Sequence, residues 1–311
     1  MNRRRIYLQL SLVVFMWSGA FVAIKILLDH GASIWTIALL RFTLTTVGLL
    51  TAMVVLRPTS PRIDSRHVPW LLLMGLTGVA AYHVSLNFGE RYISANVASL
   101  IITSMPVMTT VLARVFLRED VSTTRWAGIA LAAAGVVVLV LWGTPNAELT
   151  VRNAGGAAVT ALAPLSWAVY TIVSKRFVGT YGALPLATWA LGIGTILLMP
   201  IAIVPTLRDL PDLSLGDWGW IVFLGLGCSA LAYVIWFRAL QVLDASSVAA
   251  WVYLVPLLGQ GWAVAVLDEH VTAYLALGGA MVLAGVIVIE RVAPRMAARA
   301  SQELVVEPNP Q

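Results

Sequence analysis

Long apolar segments dominate the sequence and leave few folds open to it. Windows of about 19 residues, compared with a bilayer core about 30 Å thick, give ten candidate membrane helices. The candidates cover residues 8–28, 34–56, 68–88, 93–117, 124–142, 154–177, 185–205, 217–240, 245–267 and 272–292. These runs are too long and too continuously apolar for the alternating strands of a membrane barrel. We therefore predict an all-α polytopic membrane protein with ten transmembrane helices.

The composition agrees with a bilayer environment. Of the 311 residues, 59% are hydrophobic and only 11% are charged, whereas roughly a quarter of the residues of a soluble domain carry charge. The net charge of +5 comes from arginines in short loops, so it indicates orientation in the membrane and no nucleic-acid partner. Cys228 is the only cysteine, which excludes an intrachain disulfide and a cysteine-based metal site.

Basic residues concentrate on one side of the predicted bundle. When the ends of successive spans are assigned alternately to two sides, one side receives most of the arginines and lysines. The other side receives only Lys25, Arg91, Arg152 and Arg208. Cytoplasmic loops of membrane proteins carry the excess of basic residues. The imbalance therefore predicts an even number of crossings with both termini in the cytoplasm.

The sequence matches itself after a shift of 150 residues. Rare residue types coincide in the two copies: Trp17 with Trp167, Lys25 with Lys175, Pro106 with Pro256, and Glu119 with Glu269. Each half holds five predicted spans, and because five is odd the second half must enter the membrane from the opposite face. We therefore predict two inverted repeats, at residues 1–145 and 146–293, followed by a mobile cytoplasmic tail at 294–311.

Several quoted segments carry a family resemblance. "FMWSGAFVAIK", the "RF" of Arg41 and Phe42, and the proline-centred segment "SLIITSMPVMTTVLARVFL" with its echo "YLVPLLGQGWAVAVL" resemble the EamA family of the drug/metabolite transporter superfamily. The resemblance implies two inverted five-helix units in the bacterial inner (plasma) membrane. It also implies outward transport of amino acids or other small metabolites, with no cofactor. Leu191 stands opposite Arg41 in the shifted copy, so Arg41 has no counterpart.

Aromatic side chains at membrane depth are the first candidate substrate-binding residues. Trp17 and Trp167 lie well inside the first and sixth predicted spans, away from the interface where membrane tryptophans usually collect. Phe21 follows Trp17 by about one turn, and Tyr170 follows Trp167 in the same way. An aromatic cavity wall explains this placement, and so does ordinary helix packing.

Polar and further aromatic residues extend the candidate site to other spans. His83 and Asn87 lie one turn apart in the third span, where an unpartnered polar group is costly, so they should face the bundle interior or a wet cavity. Interhelical hydrogen bonding alone would also satisfy them. The remaining candidates occupy positions that are equivalent, or close to equivalent, in the two halves: Thr103, Tyr233, Trp251 and Tyr253.

Four charged residues are candidates for gating or for charge recognition: Lys25, Arg41, Glu90 and Lys175. Arg41 lies inside the second span, where its guanidinium keeps its charge and needs an anionic partner. Asp29 and Glu90 could supply that partner as a structural ion pair, and a substrate carboxylate is the alternative. Lys25 and Lys175 either anchor their helices at the interface or take part in gating.

The paired prolines are candidate hinges. Pro106 and Pro256 each remove one helical hydrogen bond and should kink their helices near the middle of the membrane.

A secondary transporter that works by alternating access around a central aromatic cavity accounts best for these features. A polytopic membrane enzyme would need a placed nucleophile, paired carboxylates or metal ligands, and no H-E-x-x-H or G-x-S-x-G motif occurs in the sequence. A non-transporting scaffold is the other alternative. The expected partners are a small-molecule substrate and the lipid bilayer. Proton exchange and facilitated diffusion both stay open, as does the oligomeric state, with a monomer compatible.

Overall fold

The computed structural model describes residues 3–89, 101–142, 154–267 and 273–292. These residues are 90% helical and contain no strand. Within them, six helices are long and apolar enough to cross a membrane: Arg3–Asp29, Ile34–Leu56, Ser65–Leu86, Thr123–Trp142, Ala183–Asp212 and Leu215–Val242. The predicted tail at 294–311 lies outside the described residues, as does the predicted boundary between the halves at 145/146.

The described helices follow one another along the chain. In chain order, the labels are α1 (Arg3–Asp29), α2 (Ile34–Leu56), α3 (Val68–Gly75, Leu76–Ala81 and Tyr82–Gly89), α4 (Met105–Leu112 and Ala113–Leu117), α5 (Thr123–Trp142), α6 (Ala154–Thr160 and Leu162–Tyr181), α7 (Ala183–Asp209), α8 (Leu215–Val222, Phe223–Leu231 and Ala232–Val242), α9 (Ala245–Ala250, Trp251–Tyr253 and Leu254–Leu267) and α10 (Ala273–Ile287 and Val288–Val292).

Local chemistry sets several helix ends. Ser33 begins α2 as its N-cap, where its side chain accepts a hydrogen bond from the Thr36 backbone N–H. Ser214 and Asp217 form a reciprocal capping box at the start of α8. Gly182, with φ +82°, occupies the single-residue connection between α6 and α7, a conformation that a side chain would strain.

Helices α5 and α10 pack tightly through glycines. A Cβ atom on Gly128 would lie 3.0 Å from the Gly285 carbonyl oxygen, and one on Gly135 would lie 2.8 Å from the Gly278 carbonyl oxygen. Because higher numbers on α5 meet lower numbers on α10, the two helices are antiparallel neighbours. Small residues allow such close backbone approach, which lipid alone would not drive.

Two further close contacts join the third helix of each half to the second helix of the other half. A Cβ on Gly75 of α3 would lie 2.8 Å from the Gly194 backbone nitrogen of α7. A Cβ on Gly225 of α8 would lie 2.9 Å from the Arg41 carbonyl oxygen and 2.8 Å from Leu44 Cβ of α2. Positions 75 and 225 are equivalent after the shift of 150 residues, and so are 44 and 194. The α3–α7 and α8–α2 contacts therefore repeat each other.

Interruptions of the helices also fall at equivalent places. A π-helical segment occurs at Leu76–Ala81 in α3, and another at Phe223–Leu231 in α8 includes the equivalent residues 226–231. A π-helical turn adds one residue to a helix and frequently marks a functional region. The π-helical segments of α3 and α8 each end directly before a helical segment that contributes to the central cavity described below.

We predict that Gly285→Ala lowers the stability of the detergent-solubilised protein by about 1–3 kcal/mol, as overpacking of a tight interface does. The added Cβ would lie 2.6 Å from both the Gly128 carbonyl oxygen and the Ala132 backbone nitrogen. Thermal unfolding in micelles measures the change. Gly219→Ala is the matched control, because no atom lies within 4 Å of its Cβ position. Equal melting temperatures for the two variants would contradict the proposed tight packing.

Candidate functional site

A cavity of about 190 Å³ lies among helices α1, α2, α3, α4, α6, α8 and α9. Its lining is mainly aromatic and aliphatic, with Arg41 as the charged member among the described residues. The lining residues are Trp17, Ala20, Ile24, Arg41, Tyr82, His83, Leu86, Ile102, Met105, Trp167, Tyr233, Val252 and Val255. The volume is below the roughly 300–1,000 Å³ of sites for drug-sized ligands, so the cavity suits a smaller molecule.

The lining combines equivalent positions of the two halves. Four pairs separated by 150 residues contribute: Trp17 with Trp167, His83 with Tyr233, Ile102 with Val252, and Met105 with Val255. Arg41 breaks this pattern, because its equivalent Leu191 is fully buried and does not line the cavity. The cavity thus lies where the two halves meet, with its charge on one side.

Three aromatic rings form one wall of the cavity. The rings of Trp17 and Trp167 meet edge to face at 5.5 Å, and Tyr233 lies 6.2 Å from Trp17 and 5.6 Å from Trp167. The Trp17 indole N–H donates a 2.8 Å hydrogen bond to the Cys228 carbonyl, which fixes that ring. Trp167 is 4% exposed, and its indole nitrogen has no hydrogen-bond partner among the described residues. The hydrogen bond of Trp17 and the contacts among the three rings therefore hold this wall in place.

Arg41 supplies the charge of the described cavity lining. Its side chain is 8% exposed, and its Nε donates a 2.6 Å hydrogen bond to Ser229 Oγ. Its guanidinium carbon lies 5.4 Å from the Phe42 ring centroid. No carboxylate of the described residues forms an ion pair with it, Asp29 included, and Glu90 lies outside those residues.

His83 adds a second polar group near Arg41. Its ring lies 5.0 Å from Phe42 and 5.0 Å from Tyr82, and its Nε2 is buried without a hydrogen-bond partner in the described part of the chain. Arg41 and His83 both lie against the Phe42 ring, so these two lining side chains are close to each other.

Other predicted site residues lie behind the lining or farther away. Tyr170 is fully buried, with its ring 5.5 Å from Trp167 and 6.0 Å from Tyr233, so it supports the aromatic wall from behind. Trp251 stacks on Tyr7 at 5.8 Å, and Tyr253 is buried in a separate apolar cluster with α5 and α10.

Four further predicted residues are not among the described residues that line the cavity. Thr103 lies in the turn before α4 and does not line the cavity. Phe21, Lys25 and Asn87 lie on described helices, but their side chains are outside what the structure describes. Their predicted roles stay predictions.

The paired prolines lie directly after breaks in their helices. Residues 103 and 104 form a turn before Pro106, and Trp251–Tyr253 form a 3₁₀ turn before Pro256. A proline cannot donate to the carbonyl four residues earlier. Those carbonyls belong to Ile102 and Val252, which are equivalent cavity-lining residues. The predicted hinges therefore adjoin the cavity on both sides.

Lys175 lies at the end of α6 and caps another helix. Its ammonium group donates hydrogen bonds of 2.7 Å to the Leu240 carbonyl and 2.8 Å to the Leu243 carbonyl, at the end of α8. Cations are favourable at the carboxyl ends of helices, where carbonyl groups lack partners. Lys175 therefore joins α6 to α8 at the bundle end where α9 begins.

Further polar contacts at that same end involve residues that the sequence did not single out as site residues. Glu119, in the α4–α5 connection, accepts a 2.6 Å hydrogen bond from the Ala245 backbone N–H at the start of α9. Arg125 pairs with Asp244 at 3.1 Å. The coincidence of Glu119 with Glu269 in the shifted sequence was the available signal for the first contact.

Equivalent loops make related contacts at the two ends. In the first half, His30 Nδ1 of the α1–α2 connection lies 2.7 Å from Asp217 Oδ1 at the start of α8. In the second half, the Tyr181 hydroxyl beside the α6–α7 connection lies 2.7 Å from His67 Nδ1 at the start of α3. Positions 67 and 217 are equivalent. In each half, a residue in or beside the connection between its first two helices thus contacts the start of the third helix of the other half.

The described residues contain no group of three or more His, Cys, Asp or Glu side chains that could hold a metal ion. The six described helices that are long and apolar enough to cross a membrane, together with the apolar cavity between repeated halves, are those expected of a helical, multi-pass membrane protein. A sequence model of the EamA-like transporter family matches residues 4–141 and again 154–291. The chain belongs to the EamA-like transporter family.

Known relatives cover nearly the whole chain. A probable terminal-alkyne amino-acid exporter of Streptantibioticus cattleyicolor is 34% identical over 284 residues, or 91% of this chain and 92% of the relative. An uncharacterised transporter of Archaeoglobus fulgidus is 32% identical over 286 residues, or 92% of this chain and 98% of the relative. A solved crystal structure matches with a TM-score of 0.76 at 20% identity, covering 95% of this chain and 99% of that one, which shows the shared fold.

We predict that Lys175→Met destabilises the protein in micelles by about 1–3 kcal/mol, because it removes charged donors from two partly buried carbonyl groups. Arg238→Met on α8 is the control, since Arg238 is an exposed cation near the same end of the bundle. A melting temperature of Lys175→Met as high as that of Arg238→Met would show that the cap contributes nothing to stability.

Proposed function

We propose that this protein is a plasma-membrane secondary transporter that moves small metabolites, amino acids or related amphiphilic compounds, outward. Alternating access around the cavity between α1, α2, α3, α4, α6, α8 and α9 is the mechanism. The observation that carries the proposal is the lining by four equivalent residue pairs. A site that lies between two exchangeable halves can be exposed to either side as one half moves against the other.

The proposal includes ten membrane crossings in two inverted halves with both termini in the cytoplasm. The antiparallel packing of α5 against α10 supports the inversion, because these two helices are equivalent in the shifted sequence and contact each other through exchanged positions. Gly128 meets Gly285, and Gly135 meets Gly278. Two equivalent helices that run in opposite directions are expected when the symmetry axis lies in the membrane plane.

The proposed hinges are Pro106 and Pro256. Each follows a break in its helix, and each lacks the N–H that would bond the carbonyl of a lining residue. A weakened helix at this point lets its two parts change angle with little disturbance of the packing elsewhere. Residues 102 and 252 would then move with the cavity walls.

The proposed substrate is small and partly apolar. Three aromatic rings offer flat apolar surface, and Arg41 is the charged lining residue among those described. Multiply charged phosphates would call for clustered arginines and lysines. The name of the Streptantibioticus relative, a probable amino-acid exporter, supports an amino acid and the outward direction. The relatives' names also favour a transporter over a membrane enzyme.

We predict that Trp17→Ala and Trp167→Ala each reduce amino-acid flux in proteoliposomes by roughly tenfold, because each removes a ring from the cavity wall. Counterflow of a labelled amino-acid panel measures the flux, and the protein recovered in the membrane shows whether it inserts. Trp189→Ala is the control, since Trp189 is 45% exposed on α7 and does not line the cavity. Normal flux in both cavity variants would remove these rings from the pathway.

We predict that the exposed loop residues Arg62 and Asp212, which are equivalent after the shift, face opposite sides of the membrane. Arg62→Cys and Asp212→Cys should differ in labelling by an impermeant maleimide in intact cells, with only Asp212→Cys labelled from outside. The parent protein is the control, because Cys228 is its only cysteine and is buried. Both variants should react after permeabilisation, and labelling of both in intact cells would contradict inversion.

A further inference from the structure

We infer that Arg41 binds the carboxylate of the transported molecule, so that the substrate class is small monocarboxylates with an apolar body, zwitterionic amino acids included. The inference rests on the proposed function and adds to it a charge-recognition site. It assigns the carboxylate of the substrate to Arg41 and the apolar body to the aromatic rings of the lining.

The burial of Arg41 is the first argument. A guanidinium keeps its proton in proteins, and a buried, uncompensated charge is strongly unfavourable. Arg41 is 8% exposed and has no ion-pair partner among the described residues. An anion that enters the cavity would compensate this charge, and a cation would be repelled by it. The site thus selects against cationic ligands even though its rings alone would attract them.

The hydrogen bonding of Arg41 is the second argument. A guanidinium has five N–H donors in a rigid fork that matches the two oxygens of a carboxylate. Ser229 Oγ receives the Nε–H at 2.6 Å and holds the plane of the group in place. No other described residue accepts a hydrogen bond from Arg41. Within the described part of the chain, the terminal N–H groups are therefore available to a ligand.

The aromatic rings of the lining account for the rest of the ligand. Trp17, Trp167 and Tyr233 present rings that contact one another. An aliphatic or aromatic side chain fits against these rings. The cavity volume of about 190 Å³ accommodates one small metabolite.

The departure from symmetry gives the third argument. Lining pairs repeat across the cavity, yet Leu191 replaces arginine at the position equivalent to Arg41. A ligand with two carboxylates would find only one cationic partner among the described lining residues. A ligand with one carboxylate has one way to bind. The asymmetry therefore favours monoanionic groups over dicarboxylates.

Analogue competition in wild-type protein tests the inference without any mutation. Proteoliposomes are preloaded with unlabelled L-leucine, L-methionine or L-phenylalanine, and counterflow of the labelled amino acid is measured. The competitors are the matching carboxylic acid without the amine and the matching amino alcohol without the carboxylate. We expect the acid to compete at least tenfold better than the alcohol. Equal competition would overturn the carboxylate assignment.

Variants of Arg41 provide the second test. Arg41→Gln should reduce amino-acid counterflow at least tenfold and abolish the preference for the acid over the alcohol, and Arg41→Lys should retain part of both. Arg238→Gln, which removes an exposed cation on α8, is the control and should behave as wild type. Thermal unfolding in micelles verifies that the variants fold. A folded Arg41→Gln protein that keeps the preference would overturn the inference.

Different results would overturn the proposed transport function and the role of Arg41. If wild-type protein carries solutes but does not distinguish acids from alcohols, the transporter stands and the role of Arg41 falls. If wild-type protein carries none of the amino acids, alcohols or acids, the proposed function falls, and the inference about Arg41 falls with it.

Discussion

Backbone contact at glycines is the interaction on which the rest of this structure depends. Lipid gives helices no hydrophobic reason to associate, so their contacts must come from close packing and from polar groups. At Gly128, Gly135, Gly278 and Gly285, backbones of α5 and α10 approach so closely that a Cβ would lie 2.6–3.0 Å from the facing carbonyl oxygen. This contact holds the two halves together at one side, while Gly75 and Gly225 do so at the middle helices. The cavity lies where large aromatic side chains line the helices and glycine contacts of this kind are absent from the described lining.

The sequence predicted the helical class and the internal duplication, because these follow from composition, periodicity and rare residue types. The family followed from the resemblance of particular segments to known sequences. Trp17, Trp167, His83, Arg41 and Tyr233 were identified from their depth in apolar runs, and the structure brings them together around one cavity. The sequence could not rank them against Trp251 and Tyr253, which have the same residue types at the same depth but lie on Tyr7 and in a separate cluster. The difference is a rotation about the helix axis, and a nearly uniform apolar surface gives no signal for it.

Hydrogen bonds between residues far apart in sequence also could not be predicted. Ser229, Glu119 and Asp217 bond to groups more than 120 residues away in sequence, and polar side chains of these types give no sequence signal for a distant partner. Lys175 was read as an interfacial anchor or a gating residue, and its carbonyl partners at Leu240 and Leu243 became visible only in three dimensions. Repeat pairing offered partial information, since positions 67 and 217 make related contacts, although one is histidine and the other aspartate.

The mixture of matched and unmatched positions around the cavity affects how such a protein can diversify. Ile102 with Val252 and Met105 with Val255 adjoin the prolines, so changes there would alter the proposed hinges and the shape of the cavity in both halves. Arg41 and Leu191 occupy equivalent places but have separate duties, one facing the cavity and the other buried in packing. A descendant of this chain could therefore acquire a new cargo by substitution on one wall while its moving parts stay as they are. Duplication in this sense separates the evolution of selectivity from that of mechanics.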